Sequence, residues 1–293
     1  MDLNSYVSRL PKSGETILGE RFETGYGGKG ANQAVMAARL GADVTFIAKV
    51  GDDMFGQDML TNFKHEGMII EHVYVTDQAS TGVAAINIDD QGNNCIIVSS
   101  GANYLLTEDE IEAASEAICD AQVLVCQLEV PLVVTMAALQ IAKSADVTTI
   151  LNPAPAAQLP AEIYGLCDIF CPNETELELL TGQSVETLEQ IEEAARLLLA
   201  HGTRQVLVTI GNRGSLLVAE NSEATHFATS TVEAVDTTGA GDAFVGSLAY
   251  LLAAGHPLEQ AIPKASQIAA VSVQSPGAQS SFPRQSDLSS SLL

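Results

Sequence analysis

The 293 residues are 46% hydrophobic and only 17% charged, which supplies a large core and excludes a disordered chain. Thirteen Lys and Arg against 37 Asp and Glu leave a net charge of −24, a field that repels phosphate backbones and anionic lipid, so neither nucleic acid nor membrane is expected as a partner. No apolar run approaches the ~18 residues of a membrane span, MDLNSYVSRLPKSGE lacks a signal-peptide pattern, and the irregular spacing of Cys95, Cys119, Cys126, Cys167 and Cys171 suits reduced thiols, so a soluble cytoplasmic protein, with the nucleus also open to it, is expected.

In chain order, residues 3–24 read as strand, turn and strand, and a glycine cluster at 24–30 opens a helix over 31–40. VTFIAKV (44–50) predicts a buried strand and 55–66 a helix, after which 72–99 again reads as strand, turn and strand. Helices are then predicted over 108–119, 132–144, 174–180 and 187–201, among the apolar runs VLVCQL (123–128), VTTIL (147–151), DIFCP (168–172) and QVLVTI (205–210). Helices over 240–254 and 258–274 precede a Ser-rich tail expected to fray. Strands this apolar belong to a parallel sheet covered on both faces, so the fold class is α/β, with the two hairpin segments forming a small antiparallel lid.

Four clusters could carry chemistry. In TGYGGKGANQ (24–33), Gly25, Gly27 and Gly30 satisfy G-x-G-x-x-G, but no buried strand precedes them, and Lys29 is followed by Gly30 where a Walker loop has Ser or Thr. What remains is a turn that lets a ligand approach backbone, with Lys29 and Asn32 beside it, or else a plain helix entry. In VDTTGAGDAF (235–244), bare N–H groups at a helix start form an anion hole. Asp242 there is either a cap or, as the small residues at 239, 240 and 241 favour, the acceptor of a proton in phosphoryl transfer. Asn173 and Glu176 of PNETE (172–176) read as a capping box or as a nucleotide site in which Glu176 holds magnesium waters. Gly211 and Gly214 read as a hairpin turn or a ligand loop, and Glu129 ends a strand where it could accept bonds from ligand hydroxyls.

GGKGANQA (27–34), STGVA (80–84), QLEVP (127–131), LNPAPA (151–156), PNETE (172–176), VTIGNRG (208–214) and DTTGAGD (236–242) resemble the motifs of the ribokinase-like carbohydrate kinases, in that family's order and across nearly the whole chain. The resemblance implies a three-layer α/β/α sandwich with a mostly parallel central sheet and a small antiparallel β lid. Residues 26–71 and 100–293 would form the main domain, and 1–25 and 72–99 the lid, through which two copies would meet as a homodimer. It implies ATP-dependent phosphorylation of D-ribose at the 5-hydroxyl, with Asp242 as catalytic base and Gly239, Ala240, Gly241 and Asp242 as anion hole. Asp2, Gly28, Lys29, Gly30, Asn32 and Glu129 would hold the sugar. Asn173, Thr209, Ile210, Gly211, Asn212, Arg213, Gly214 and Gly241, with Asp242, would contact ATP. Glu176 would hold Mg2+ through water, and Asp236, Thr238, Ser272, Ser275, Gly277 and Ser281 an activating K+. Deoxyribose, fructose or adenosine is the alternative acceptor. The family has a strand and a turn with a sugar-binding Asn before the residue matching Asp2, whereas the chain begins in that turn. An open sheet edge, a lost sugar contact and a catalytically impaired binding form are the corresponding expectation.

Overall fold

The computed structural model describes residues 1–293, and its strands are β1 (Asp2–Val7), β2 (Arg21–Gly25), β3 (Ala48–Gly51), β4 (Val73–Thr76), β5 (Val83–Asp89), β6 (Asn94–Ser99), β7 (Val123–Cys126), β8 (Thr148–Leu151), β9 (Ile169–Phe170), β10 (Gln205–Thr209), β11 (Ser215–Ala219) and β12 (Thr225–Phe227). The helices are α1 (Lys29–Leu40), α2 (Met54–His65), α3 (Glu108–Ala113), α4 (Ser115–Asp120), α5 (Leu132–Ser144), α6 (Glu174–Thr181), α7 (Leu188–Leu199), α8 (Ala240–Ala253) and α9 (Leu258–Ser272). A six-stranded sheet runs in the order β12-β11-β10-β9-β8-β7. Its β7 to β10 are parallel, and β11 runs antiparallel between β10 and β12.

The strand period of two divides this sheet between two cores. Ile150, Ile169, Leu207 and Leu217 face one core, with Val35, Met36 and Leu40 of α1, Phe63 of α2, Leu248 of α8 and Ile268 of α9. Their neighbours Leu151, Phe170, Val206, Val208, Leu216 and Val218 face the other, with Leu139 of α5, Leu177 of α6 and Ile191 and Leu198 of α7. Helix, sheet and helix are thus the three layers. Capping fixes several helix starts: Asp53 accepts from the Gly56 N–H, and Thr107 with Glu110 and Thr187 with Gln190 form capping boxes.

The packing of α1 on α8 matters most for the site. A Cβ on Gly246 would lie 2.4 Å from the Gln33 carbonyl oxygen and 2.8 Å from the Met36 Cβ. The bare backbone therefore brings the start of α1 against the first turns of α8.

Several expectations change. The lid is mixed rather than wholly antiparallel: hairpins β1-β2 and β5-β6 join through a parallel β1-β5 pair, in the order β2-β1-β5-β6. Residues 73–76 lie outside it, because β4 pairs in parallel with β3 as a separate two-stranded sheet. The helix expected over 108–119 is broken at Ala114, whose N–H bonds three residues back to Ile111 instead of four, and Ile111 and Ile118 on either side both stay buried. The Ser-rich tail is anchored: Arg284 pairs with Glu66 at 3.1 Å, and Leu288, Leu292 and Leu293 pack on the first core.

Candidate active site

Asp242 stands in the first turn of α8, where a carboxylate ordinarily caps its own helix. It does not do so here. Gly239, at φ 76°, precedes the helix with no side-chain cap. The Asp242 carboxylate turns to α1 instead: Asn32 Nδ2 donates to Oδ2 and Gln33 Nε2 to Oδ1, each at 2.9 Å. The Ala240 N–H reaches the Thr237 carbonyl at 3.2 Å, while the Gly241 and Asp242 N–H groups have no acceptor in the protein. Apart from its chain neighbours and the adjoining backbone of α8, no atom lies within 4 Å of the point where a Gly241 Cβ would stand, so that face of the turn is open. Two free N–H groups of a helix start thus lie beside a carboxylate that leaves them unused.

A cavity of about 170 Å³ opens here, lined by Lys29, Asn152, Ala154, Cys171, Asn173, Glu176, Thr209, Thr237, Gly239, Ala240, Gly241, Asp242 and Val245. It collects the carboxyl ends of β8, β9 and β10, where open α/β sheets bind ligands. A larger cavity of about 480 Å³ lies at the opposite ends of these strands, but its Lys143 and Arg204 both pair with Asp168.

Acidic groups gather around the start of α1. Glu129 Oε2 accepts the Lys29 N–H at 2.8 Å, and a Cβ on Gly27 would stand 2.2 Å from the Asp2 Oδ1, so only glycine admits that carboxylate. Burial raises the pKa of Asp242 above its ordinary value, against the pull of Lys29 and the Asn32 and Gln33 amides. Burial likewise raises Asp2, where Met1's amine opposes the shift, and Glu129, where Lys29 opposes it. Asp242 repels both. In their ionised forms these carboxylates only accept hydrogen bonds, a chemistry suited to donors such as hydroxyl groups.

Asn173 and Glu176 form a complete capping box at α6: Asn173 accepts from the Glu176 N–H at 2.8 Å, and Glu176 accepts from the Asn173 N–H at 2.8 Å and its Nδ2 at 3.0 Å. Glu176 also faces the cavity, and burial raises its pKa. No three His, Cys, Asp or Glu side chains converge as a metal cage. A divalent ion here fits only the loose arrangement of one or two carboxylates, water and substrate phosphates.

Of the 209–214 segment, Thr209 lines the cavity and bridges to Asn173. Gly211 and Asn212 are exposed, Ile210 is buried in the second core, and Gly214 closes the β10-β11 hairpin. Arg213 pairs with Glu174, which ties this hairpin to α6.

The Asp236 carboxylate joins two loops: Oδ1 accepts the Thr238 N–H at 2.9 Å and hydroxyl at 2.7 Å, and Oδ2 the Gly277 N–H at 2.8 Å. Those donors hold its pKa below normal despite burial. Ser272 and Ser281 donate to the carbonyls of Ala269 and Ala278, and Ser275 is exposed. The set offers only oxygens, the donor chemistry of hard cations.

Helical periodicity does not single out Gln33 or Asn152, yet Gln33 Nε2 donates to both Asp242 and, at 3.0 Å, the Asn152 Oδ1. The available signal was the pair of adjacent uncharged amides in GANQA, flanked by Gly and Ala at a helix start.

The model of the pfkB family carbohydrate kinases matches residues 1–285. A ribokinase of Mus musculus is 45% identical over 291 residues, 98% of this chain and 90% of its own. A deoxyribokinase of Salmonella typhi is 41% identical over 284 residues, 97% of this chain and 92% of its own. The structure of Arabidopsis thaliana ribokinase complexed with ribose and ATP is similar at a TM-score of 0.90 and 32% identity, covering 98% of this chain and 93% of that one.

Proposed function

The chain belongs to the pfkB family of carbohydrate kinases, and we propose that it transfers the γ-phosphoryl group of ATP to the 5-hydroxyl of D-ribose, giving D-ribose 5-phosphate and ADP. The observation that carries this reading is the Asp242 carboxylate, turned away from its own helix, held by two α1 amides and set beside two unused N–H groups. Asp242 takes the hydroxyl proton as the sugar oxygen bonds to the γ-phosphorus and the bond from that phosphorus to the β–γ bridging oxygen breaks. The N–H groups of the 239–242 turn, chiefly Gly241 and Asp242, receive the phosphoryl charge, and Lys29 adds positive charge at the same cavity.

Asp2 and Glu129 accept from sugar hydroxyls, with Gly28, Lys29, Gly30 and Asn32 completing that wall. Asn173, Thr209 and the 210–214 turn receive the nucleotide. Bound with ATP, Mg2+ neutralises phosphate charge; Glu176 would hold it through water. The loops joined by Asp236 would hold K+, which would supply a fixed positive charge there. Residues 1–25 and 83–99 act as the lid. The exposed Phe22, Ile96, Ile97 and Val98 support a homodimer formed through it, and five free thiols suit the reducing cytoplasm.

Similarity to a deoxyribokinase favours 2-deoxy-D-ribose as the second reading. The test is ADP release with ATP, Mg2+ and K+ over D-ribose, 2-deoxy-D-ribose, D-fructose and adenosine. Highest kcat/KM on D-ribose is expected. A higher value on another acceptor would reassign the substrate, and thermal stabilisation by ribose without ADP release would favour a catalytically impaired form.

A further inference from the structure

Gln279 lies outside every role assigned so far, yet the residue is only 3% exposed and its side chain is held on both sides. Its Nε2 donates to Asn32 Oδ1 at 3.0 Å, and its Oε1 accepts from Asn62 Nδ2 at 2.9 Å. Asn32 in turn donates to the Asp242 carboxylate. The line from Asn62 through Gln279 and Asn32 to Asp242 therefore runs in one sense, each amide donating to the next oxygen.

This direction has a consequence at the base. An amide of Asn32 rotated by half a turn would set its oxygen against Asp242, acceptor to acceptor. The Gln279 NH2 group disfavours that rotamer by occupying Asn32 Oδ1, and Asn62 sets the orientation of Gln279 in the same way. The backbone around Gln279 is fixed as well: Arg39 donates to the carbonyls of Gln279 and Phe282 at 2.5 and 2.9 Å, and Glu66 holds Arg39 at 2.6 Å. Arg39 and Asn32 both stand on α1, so one helix carries the base's partner and the clamp on the segment that orients it.

We propose that Gln279 is a positioning residue for phosphoryl transfer, acting through Asn32 to hold the Asp242 carboxylate in its proton-accepting orientation and joining the 277–282 segment to the base. The proposal rests on Asp242 being that base. The test measures kcat and the KM for ATP in Gln279→Met, which keeps side-chain length without the amide, in Asn62→Leu, in Asp242→Asn, and in the Gln279→Met/Asp242→Asn double variant, whose residual rate is read with radiolabelled ATP. Gln279→Met is expected to lose about ten- to hundredfold in kcat with the KM for ATP unchanged, because a small misplacement of a reacting group costs rate on that scale. Asn62→Leu should show a smaller loss of the same kind, and it carries the test if Gln279→Met fails to fold. The double variant should be no slower than Asp242→Asn alone, since the relay has no base left to orient. Wild-type kcat in both amide variants, or a loss that multiplies with that of Asp242→Asn, would overturn the proposal alone. Retention of turnover by Asp242→Asn would overturn the base assignment and the proposal with it.

Discussion

Replacing Asp242 by Asn separates chemistry from folding at this site, and the geometry sets both magnitudes. The carboxylate accepts one hydrogen bond on each oxygen, from Gln33 and Asn32, each at 2.9 Å. Asn keeps one acceptor and turns an NH2 group toward the other donor, which leaves a buried donor unsatisfied at a cost of about 1–3 kcal/mol. Against this, the substitution removes a buried carboxylate whose raised pKa shows that the fold disfavours its charge. The two effects oppose, so the melting temperature should move by only a few degrees. The chemistry has no such compensation. Loss of a general base lowers kcat by about 10²- to 10⁴-fold, which corresponds to ~3–5 kcal/mol of barrier. The check is ADP release beside nucleotide binding by calorimetry: turnover should collapse while ATP affinity changes less than about threefold. More than a tenth of the wild-type kcat remaining would refute the role of base, and equal loss of binding would show instead that Asp242 holds the nucleotide.

Glu129→Gln should raise the melting temperature at neutral pH and weaken sugar binding. Because burial lifts the Glu129 pKa in the folded state, that state binds more protons than the unfolded one, so this group's contribution to stability is greatest below the ordinary carboxylate pKa and falls as pH rises through the folded value. The gap between variant and wild type, measured by thermal melts across pH, should therefore close on acidification to about pH 4. Gly246→Ala forces a methyl to 2.4 Å from the Gln33 carbonyl oxygen, an overpacking that costs about 1–3 kcal/mol. It should also lower kcat by pushing α1, and with it Asn32 and Gln33, off Asp242; urea unfolding and steady-state kinetics read the two effects separately, and an unchanged kcat would show that the α1–α8 spacing does not set the base.

What the amino-acid pattern discloses here follows the range of the interaction. The apolar run of QVLVTI and the apolar faces of α1, α5 and α7 are local, and each appears in the structure close to where the spacing puts it. The β1-β2 and β5-β6 hairpins were visible for the same reason, whereas their parallel docking through β1 and β5 joins residues some eighty apart and leaves no local trace. The site divides along this line too. Small residues at 239, 240 and 241 mark the open turn, but nothing near Asp242 records that its carboxylate faces Asn32 and Gln33, 210 and 209 positions away. Gln279 reads from sequence as one more polar residue in a Ser-rich stretch, and its burial comes from the α1, α2 and 277–282 segments meeting around it. The capping boxes make the limit concrete. Thr107 with Glu110, Asn173 with Glu176 and Thr187 with Gln190 obey one local rule and form one local geometry. Only the second faces the cavity, because β9 delivers Asn173 to the end of the sheet beside Thr209 while the other two caps lie on the surface. Capping and the proposed ligand contacts are thus compatible readings of Asn173 and Glu176: the cap fixes the orientation of both side chains, and the sheet topology sets that fixed orientation on the wall of the cavity.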